Sequence, residues 1–269
     1  MDQDKADSFA EYLGFSNYGA AIPIDEGKIV MTMDGVGTKL LVAEEFRKFD
    51  TIGIDLVAMN VNDLLCMGAV PIAFMDYLAV GELDLDKAKE ILKGVKEGCE
   101  LAGCKLVGGE TAQLGPMFRR PHWFDIAGCA VGQQVKQPEK VVEGDYLVGI
   151  PSSGVHSNGF TTLRKLTTWD EEWLTPTRIY TDEILDNLNY IKACAHITGG
   201  GISGNLPRIL HGLDYEISFE LSPWWADLKD RLDKYPFQTV FNCGWGMILV
   251  VENPELLDID DAQVLGRVV

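Results

Sequence analysis

The stretch "MTMDGVGTKL" (31–40) decides how the chain is read. An apolar run ends in a carboxylate, Asp34, followed by Gly35, Gly37, Thr38 and Lys39. Glycines let a backbone approach a ligand closely, and a carboxylate beside a lysine suits phosphate and a metal ion. Neither common phosphate loop fits. GxxxxGK[ST] needs a wider spacing, and GxGxxG needs a third glycine where Lys39 and Leu40 follow. The identity of the motif therefore rests on the rest of the chain.

Outward from the motif, strands and helices alternate. "KIVMTM" (28–33) predicts a strand. Residues 51–69 predict a helix with Ile54, Val57, Ala58, Val61, Leu64 and Leu65 on one face, stopped by Gly68 and Pro71. "IAFMDYLAV" (72–80) predicts a strand, and 85–103 an amphipathic helix closed by Gly103. Two strands follow at 105–110 and 124–132, then a polar connector at 133–145. Beyond it, 146–152 predicts a strand and 157–166 opens a helix. A second helix is expected over 175–188, with Thr175 as N-cap and Pro176 at its first position. Residues 196–210 read as a glycine loop running into a helix, and 215–220 and 246–252 as strands. The expected fold class is α/β (α+β), with two domains at 1–135 and 136–269.

At 269 residues and 46% apolar content, the chain is long enough for a sizeable core. Lys plus Arg number 23 against 41 Asp plus Glu, a net charge of −18. Such a surface repels nucleic acid and anionic membranes, so neither is an expected partner. It also serves plain solubility. The six cysteines form no CxxC pair and sit in apolar runs, which reads as reduced packing residues of a cytoplasmic protein. The opening "MDQDKADSFAEYLG" has neither a basic nor an apolar leader region, so no secretory signal is expected.

Three acids stand at the ends of, or inside, apolar elements: Asp34, Asp63 in "MNVNDLL" and Glu110 in "LVGGET". Strand ends are where α/β folds place ligands. Three carboxylates converging at about 5 Å would repel by about 3 kcal/mol per pair at an effective dielectric near 20, so convergence would demand a cation. Oxygen-only ligands suit Mg²⁺, which in turn suits nucleotide phosphate. Spacing alone leaves this reading and that of ordinary solvated carboxylates equally open. In "PSSGVHSNGF" (151–160), small residues flank His156, a setting that argues for ligand contact or proton transfer over packing, and Ser157 or Asn158 is placed to cap the next helix. In "HITGGGISGN" (196–205), three successive glycines suit either a tight turn or a phosphate nest. His122 and His211 have no such setting and are expected on the surface.

Together, "DGVGTKL", "DTIGIDLVAMNVNDLL", "GCKLVGGETA", "DIAGCAVG", "SSGVHSNGF", "PTRIY", "HITGGGISGNLPRIL" and "FNCGWGM" resemble, in order, the blocks of the aminoimidazole ribonucleotide synthetase (phosphoribosylformylglycinamidine cyclo-ligase) family. "DGVGTK" and "GGET" alone indicate only a wider superfamily of ATP-using enzymes. The resemblance implies a two-domain fold whose first sheet dimerises into a barrel, with ATP in a cleft near that interface. It implies ATP and Mg²⁺ as cofactors and formylglycinamidine ribonucleotide as substrate, cyclised in purine biosynthesis. Carried over position by position, Asp34, Asp63 and Glu110 match metal-binding acids. Gly35, Gly37, Thr38, Lys39, Asp63, Gly109 and Glu110 match the nucleotide site with Asp34. Ser152, Ser153, Gly154, His156, Ser157 and Asn158, with Thr198, Gly199, Gly200 and Gly201, match substrate loops. His156, Lys39 and Asp63 are the implied catalytic residues.

The chain departs from the family's pattern in places. The arm before "GFSNYGAAIPI" (14–24), expected to close over ATP, is short; Gln113 stands where Glu is usual, and Trp245 replaces a small aliphatic residue. Another ATP-using enzyme of the superfamily, or a non-catalytic homologue, are the alternative readings. A homodimer is expected from the apolar character of 28–33 and 72–80, too apolar for an open sheet.

Overall fold

The structure, a computed structural model, describes residues 18–232 and 234–269. The segment weighed above for a secretory signal, and residues 14–17 of the arm, lie outside them. In the first half come β1 (Ala20–Ile24), β2 (Gly27–Gly35), α1 (Leu40–Phe46), α2 (Ile52–Cys66), β3 (Ala69–Val80), α3 (Leu85–Leu101), β4 (Lys105–Gln113) and β5 (Phe124–Gln134). In the second come β6 (Tyr146–Pro151), α4 (Phe160–Leu163), α5 (Thr181–Asp186), β7 (Ile191–His196), α6 (Gly201–Asn205), α7 (Pro207–Leu210), β8 (Tyr215–Ile217), α8 (Pro223–Arg231), β9 (Trp245–Val251) and β10 (Gln263–Val268). Two sheets result, in the orders β1-β2-β5-β3-β4 and β7-β9-β6-β10-β8. Within the first, β3 and β4 run parallel and the other pairs antiparallel.

The first sheet alternates as half-buried strands must. Val30 and Thr32 of β2 are buried, while Met31 and Met33 are exposed. Phe74 and Leu78 of β3 are buried, while Met75 and Tyr77 are exposed. The buried face lies under α2. Expected as amphipathic, α2 is instead buried on every side apart from Asp63, which is half-buried. Its far side meets α3 and strand β7 of the second sheet. Gly53 permits the α2–α3 approach, since a Cβ there would lie 2.0 Å from the backbone N of Val95. A helix apolar all round belongs inside a protein. α3 fits its prediction, with Asp84 capping the N–H groups of Asp86 and Lys87.

The expected helix over 175–188 shrinks to α5. Residues 175–180 lie outside any helix or strand, because side chains of the first half take their backbone groups. Asp55 accepts from the Thr177 N–H at 2.8 Å. Lys39 donates to the Thr175 carbonyl at 2.9 Å. Asn62 donates to the Arg178 carbonyl at 2.9 Å and accepts from the Tyr180 N–H at 3.2 Å. Those long-range partners outcompete the local N-cap signal of Thr175, whose hydroxyl donates to the Glu172 carbonyl instead.

Candidate active site at the seam between the two sheets

Asp34 closes β2 on the helix-covered face, and its Oδ1 accepts from the Gly35 N–H at 2.7 Å. Gly37 has φ +71°, the left-handed region that glycine enters without strain. The turn then hands Thr38 across the seam, with its hydroxyl 3.3 Å from that of Thr161. The Asp34 side chain keeps an exposed edge, yet protein crowds its other sides. That lost hydration, with the charge of Asp63 second, pushes its carboxyl up to about 6.

Asp63 projects from α2 into the same region, with 19% of its side chain exposed. Its Oδ1 lies 2.9 Å from Nδ1 of His196, the last residue of β7. His196 was missed in the sequence. The available signal was its place: it ends an apolar strand shortly before the glycines of the 199–201 loop.

Glu110 does not converge with the other two acids. Asp34 pairs with Gly128, Gly128 with Asp76, and Asp76 with Gly109. The next row reads Gly35, Ala127, Tyr77, Glu110. Successive rows point to opposite faces, so Glu110 projects from the uncovered face, and three strand spacings of about 4.8 Å put it roughly 14 Å away. Among the described residues no cluster of three acidic, His or Cys side chains is placed to hold a metal. The three expected carboxylates are thus not brought together within one chain. Gly109 serves its neighbour, because a Cβ there would stand 2.4 Å from Oδ1 of the buried Asp76.

Lys39 is a second correction. Its side chain is 0% exposed, and its ammonium lies 2.8 Å from Asp55 Oδ2. It donates also to the carbonyls of His156 at 3.0 Å and Thr175 at 2.9 Å. Burial lowers its pKa, opposed by Asp55. Its three donors are thus taken inside the seam. His156, expected to face a ligand, is also fully buried, with φ +57°. Its Nε2 accepts from the Ser153 N–H at 3.2 Å, which leaves the hydrogen on Nδ1. Burial holds the ring neutral, with its pKa well below the ordinary value.

The two glycine-rich loops are held by hydrogen bonds to protein side chains and carbonyls. Ser152 donates to Asn242 Oδ1 at 3.2 Å, and the Gly154 carbonyl accepts from Asn242 Nδ2 at 3.0 Å. Ser153 donates to the Pro176 carbonyl, and Ser157 to Asp55. Neither Ser157 nor Asn158 caps α4; Gly159 takes that position. The loop of Thr198, Gly199, Gly200 and Gly201 wraps around Asn205, which donates to three of its carbonyls at 2.8–3.3 Å. Gly201 is forced by contact, since a Cβ would lie 2.0 Å from the Gln238 carbonyl oxygen.

Asp34 and Asp63 are near enough for the charge of one to act on the carboxyl of the other, at a partly open seam beside a glycine turn. That suits Mg²⁺, which keeps several waters and takes one or two carboxylates plus substrate phosphates.

The chain matches two family models: AIR synthase related protein, N-terminal domain, over residues 17–134, and AIR synthase related protein, C-terminal domain, over residues 142–269. It is 42% identical over 293 residues to a phosphoribosylformylglycinamidine cyclo-ligase of Pseudothermotoga lettingae, covering 94% of this chain and 86% of that protein. It is 38% identical to the trifunctional purine biosynthetic protein adenosine-3 of Chironomus tentans, over 95% of this chain but only 22% of that longer protein. Among solved structures, thiamine monophosphate kinase of Aquifex aeolicus shares the fold, with a TM-score of 0.72 and 20% identity, covering 98% of this chain and 93% of that one. The two domain models, matched one after the other along nearly the whole described chain, show that the chain belongs to the AIR synthase family.

Proposed function

We propose that the chain is an ATP-dependent cyclo-ligase that converts formylglycinamidine ribonucleotide to aminoimidazole ribonucleotide, ADP and phosphate in purine biosynthesis. The observation that supports this most is the 42% identity with a cyclo-ligase across 86% of that enzyme.

The formamide oxygen of the substrate is a poor leaving group. Its P–O bond to the γ-phosphoryl group forms as the bond to ADP breaks. An amidine-side nitrogen then attacks the formyl carbon, the C–O bond breaks, phosphate leaves, and the nitrogen gives up its proton. Asp34 and Asp63 would hold Mg²⁺, which neutralises phosphate charge and aligns the transfer. The turn from Gly35 to Thr38 offers backbone to the phosphates. Ser152, Gly154 and the loop from Thr198 to Gly201 are the proposed substrate contacts. Lys39 and His156 act from inside the seam, as parts of the frame that holds these loops.

The proposed assembly is a homodimer through the first sheet. Its uncovered face presents Met33 (77% exposed), Met75 (46%) and Tyr77 (41%), too much apolar surface for water alone. Glu110 lies on this face, so dimerisation would carry it to the interface near which the nucleotide is proposed to lie. No described helix is long and apolar enough to cross a membrane. The cysteines are free thiols, and the proposed location is the cytoplasm.

The test is ADP release by the purified protein with Mg-ATP. Release that depends on formylglycinamidine ribonucleotide, and that Asp34→Asn abolishes, supports the proposal. Release indifferent to that substrate contradicts it.

A further inference from the structure

His196 belongs to the second sheet, yet it reaches a carboxylate on helix α2 of the first half. Its side chain is 1% exposed, and Nδ1 stands 2.9 Å from Asp63 Oδ1. Its other ring nitrogen, Nε2, lies 3.4 Å from Asn62 Nδ2. The orientation of that amide is fixed by backbone. Tyr180 N–H can only donate, and it meets Asn62 Oδ1. The Arg178 carbonyl can only accept, and it meets Asn62 Nδ2. An amide nitrogen cannot accept, so His196 Nε2 is the accepting nitrogen and Nδ1 carries the hydrogen. A chain of donors thus runs from Tyr180 through Asn62 and His196 to Asp63. Every link before the carboxylate is buried.

We infer that His196 is a positioning residue, which ties Oδ1 of Asp63 and so fixes that carboxylate for a divalent cation. The inference rests on the metal reading given above. A carboxylate at the edge of water rotates about two bonds, and a cation must first halt that rotation. A fixed N–H donor halts it beforehand and leaves the second oxygen for the ion. Outer partners of this kind are typically worth about 10–100-fold in metal affinity. The donor comes from β7, whose chain runs directly on into Thr198, Gly199 and Gly200. The geometry of the cation site therefore depends on how the second half is docked, and the loop proposed to hold substrate is its immediate neighbour.

The test is Mn²⁺ binding to the full, nucleotide-free chain, read by electron paramagnetic resonance, with a melting curve for each variant. His196→Leu removes the donor and should weaken Mn²⁺ by about 10–100-fold. His196→Asn, whose amide can occupy the Nδ1 position, should recover most of that loss. A merely structural pair predicts a lower melting temperature with unchanged Mn²⁺ affinity. Should His196→Leu fail to fold, His196→Gln takes its place, because its amide sits nearer the Nε2 position. Asp63→Asn separates the two claims. If it abolishes Mn²⁺ binding while a folded His196 variant lacking the Nδ1 donor binds like the wild type, the positioning role is overturned and the metal site stands. If Asp63→Asn and Asp34→Asn both bind Mn²⁺ like the wild type, the metal reading falls and the inference with it.

Discussion

Lys39 Nζ stands 2.8 Å from Asp55 Oδ2, and neither side chain is exposed. Asp55 Oδ1 further accepts from the hydroxyl and N–H of Thr177 and from the hydroxyl of Ser157. One ion pair thus joins the glycine turn and α2 of the first half to two segments of the second. Removing one member of a buried pair leaves an uncompensated charge and typically costs about 3–5 kcal/mol. Lys39→Met should lower unfolding free energy in urea by about that amount, while the folded fraction binds ATP with little change. A variant of wild-type stability that has lost ATP binding would return Lys39 to the phosphates.

His156 predicts a pH dependence. Its folded pKa lies well below the ordinary value because burial opposes the charged ring. Well above about pH 6.5, both folded and unfolded chains carry it neutral and it contributes no slope. As pH falls below that value, the unfolded chain takes up a proton that the fold refuses, so stability falls. Between pH 7.5 and 5.5, the wild type should lose about 1 kcal/mol more than His156→Asn, a residue that tolerates positive φ. Parallel losses in both proteins would show that His156 titrates normally in the fold.

The uncovered face of the first sheet predicts an assembly. Met33 pairs with Cys129, which pairs with Met75, so the two methionines share one row of that face. Sedimentation of the wild type at micromolar concentration should give twice the chain mass. Met33→Asp with Met75→Asp should give a folded monomer, since neither side chain is in the core. A wild-type monomer would contradict the dimer and remove the proposed interface from the nucleotide site.

What the sequence could show depended on the range of the forces involved. Strands β2, β3 and β5 and helix α3 were legible because periodicity and the Gly103 stop are local signals. The stretch 175–180 was not, because its partners Asp55, Lys39 and Asn62 are far away in the chain. Asp34 and Asp63 were picked out by their setting at element ends. Glu110 shared that setting, yet its face follows from strand register, and one residue of register reverses it. Lys39 and His156 looked like ligand contacts because small polar residues surround them. Whether such a side chain turns to a cleft or into a seam is decided by tertiary packing. His196 ends the apolar "IKACAH", and its partner Asp63 appears only when β7 lies against α2.

The central claim is that ATP activates the formamide oxygen of the substrate. Substrate labelled with ¹⁸O at that oxygen tests it directly. In a single turnover with unlabelled ATP and water, the account predicts that the label leaves in inorganic phosphate, together with aminoimidazole ribonucleotide and ADP. Unlabelled phosphate, with the ¹⁸O released to water or retained in the product, would contradict it.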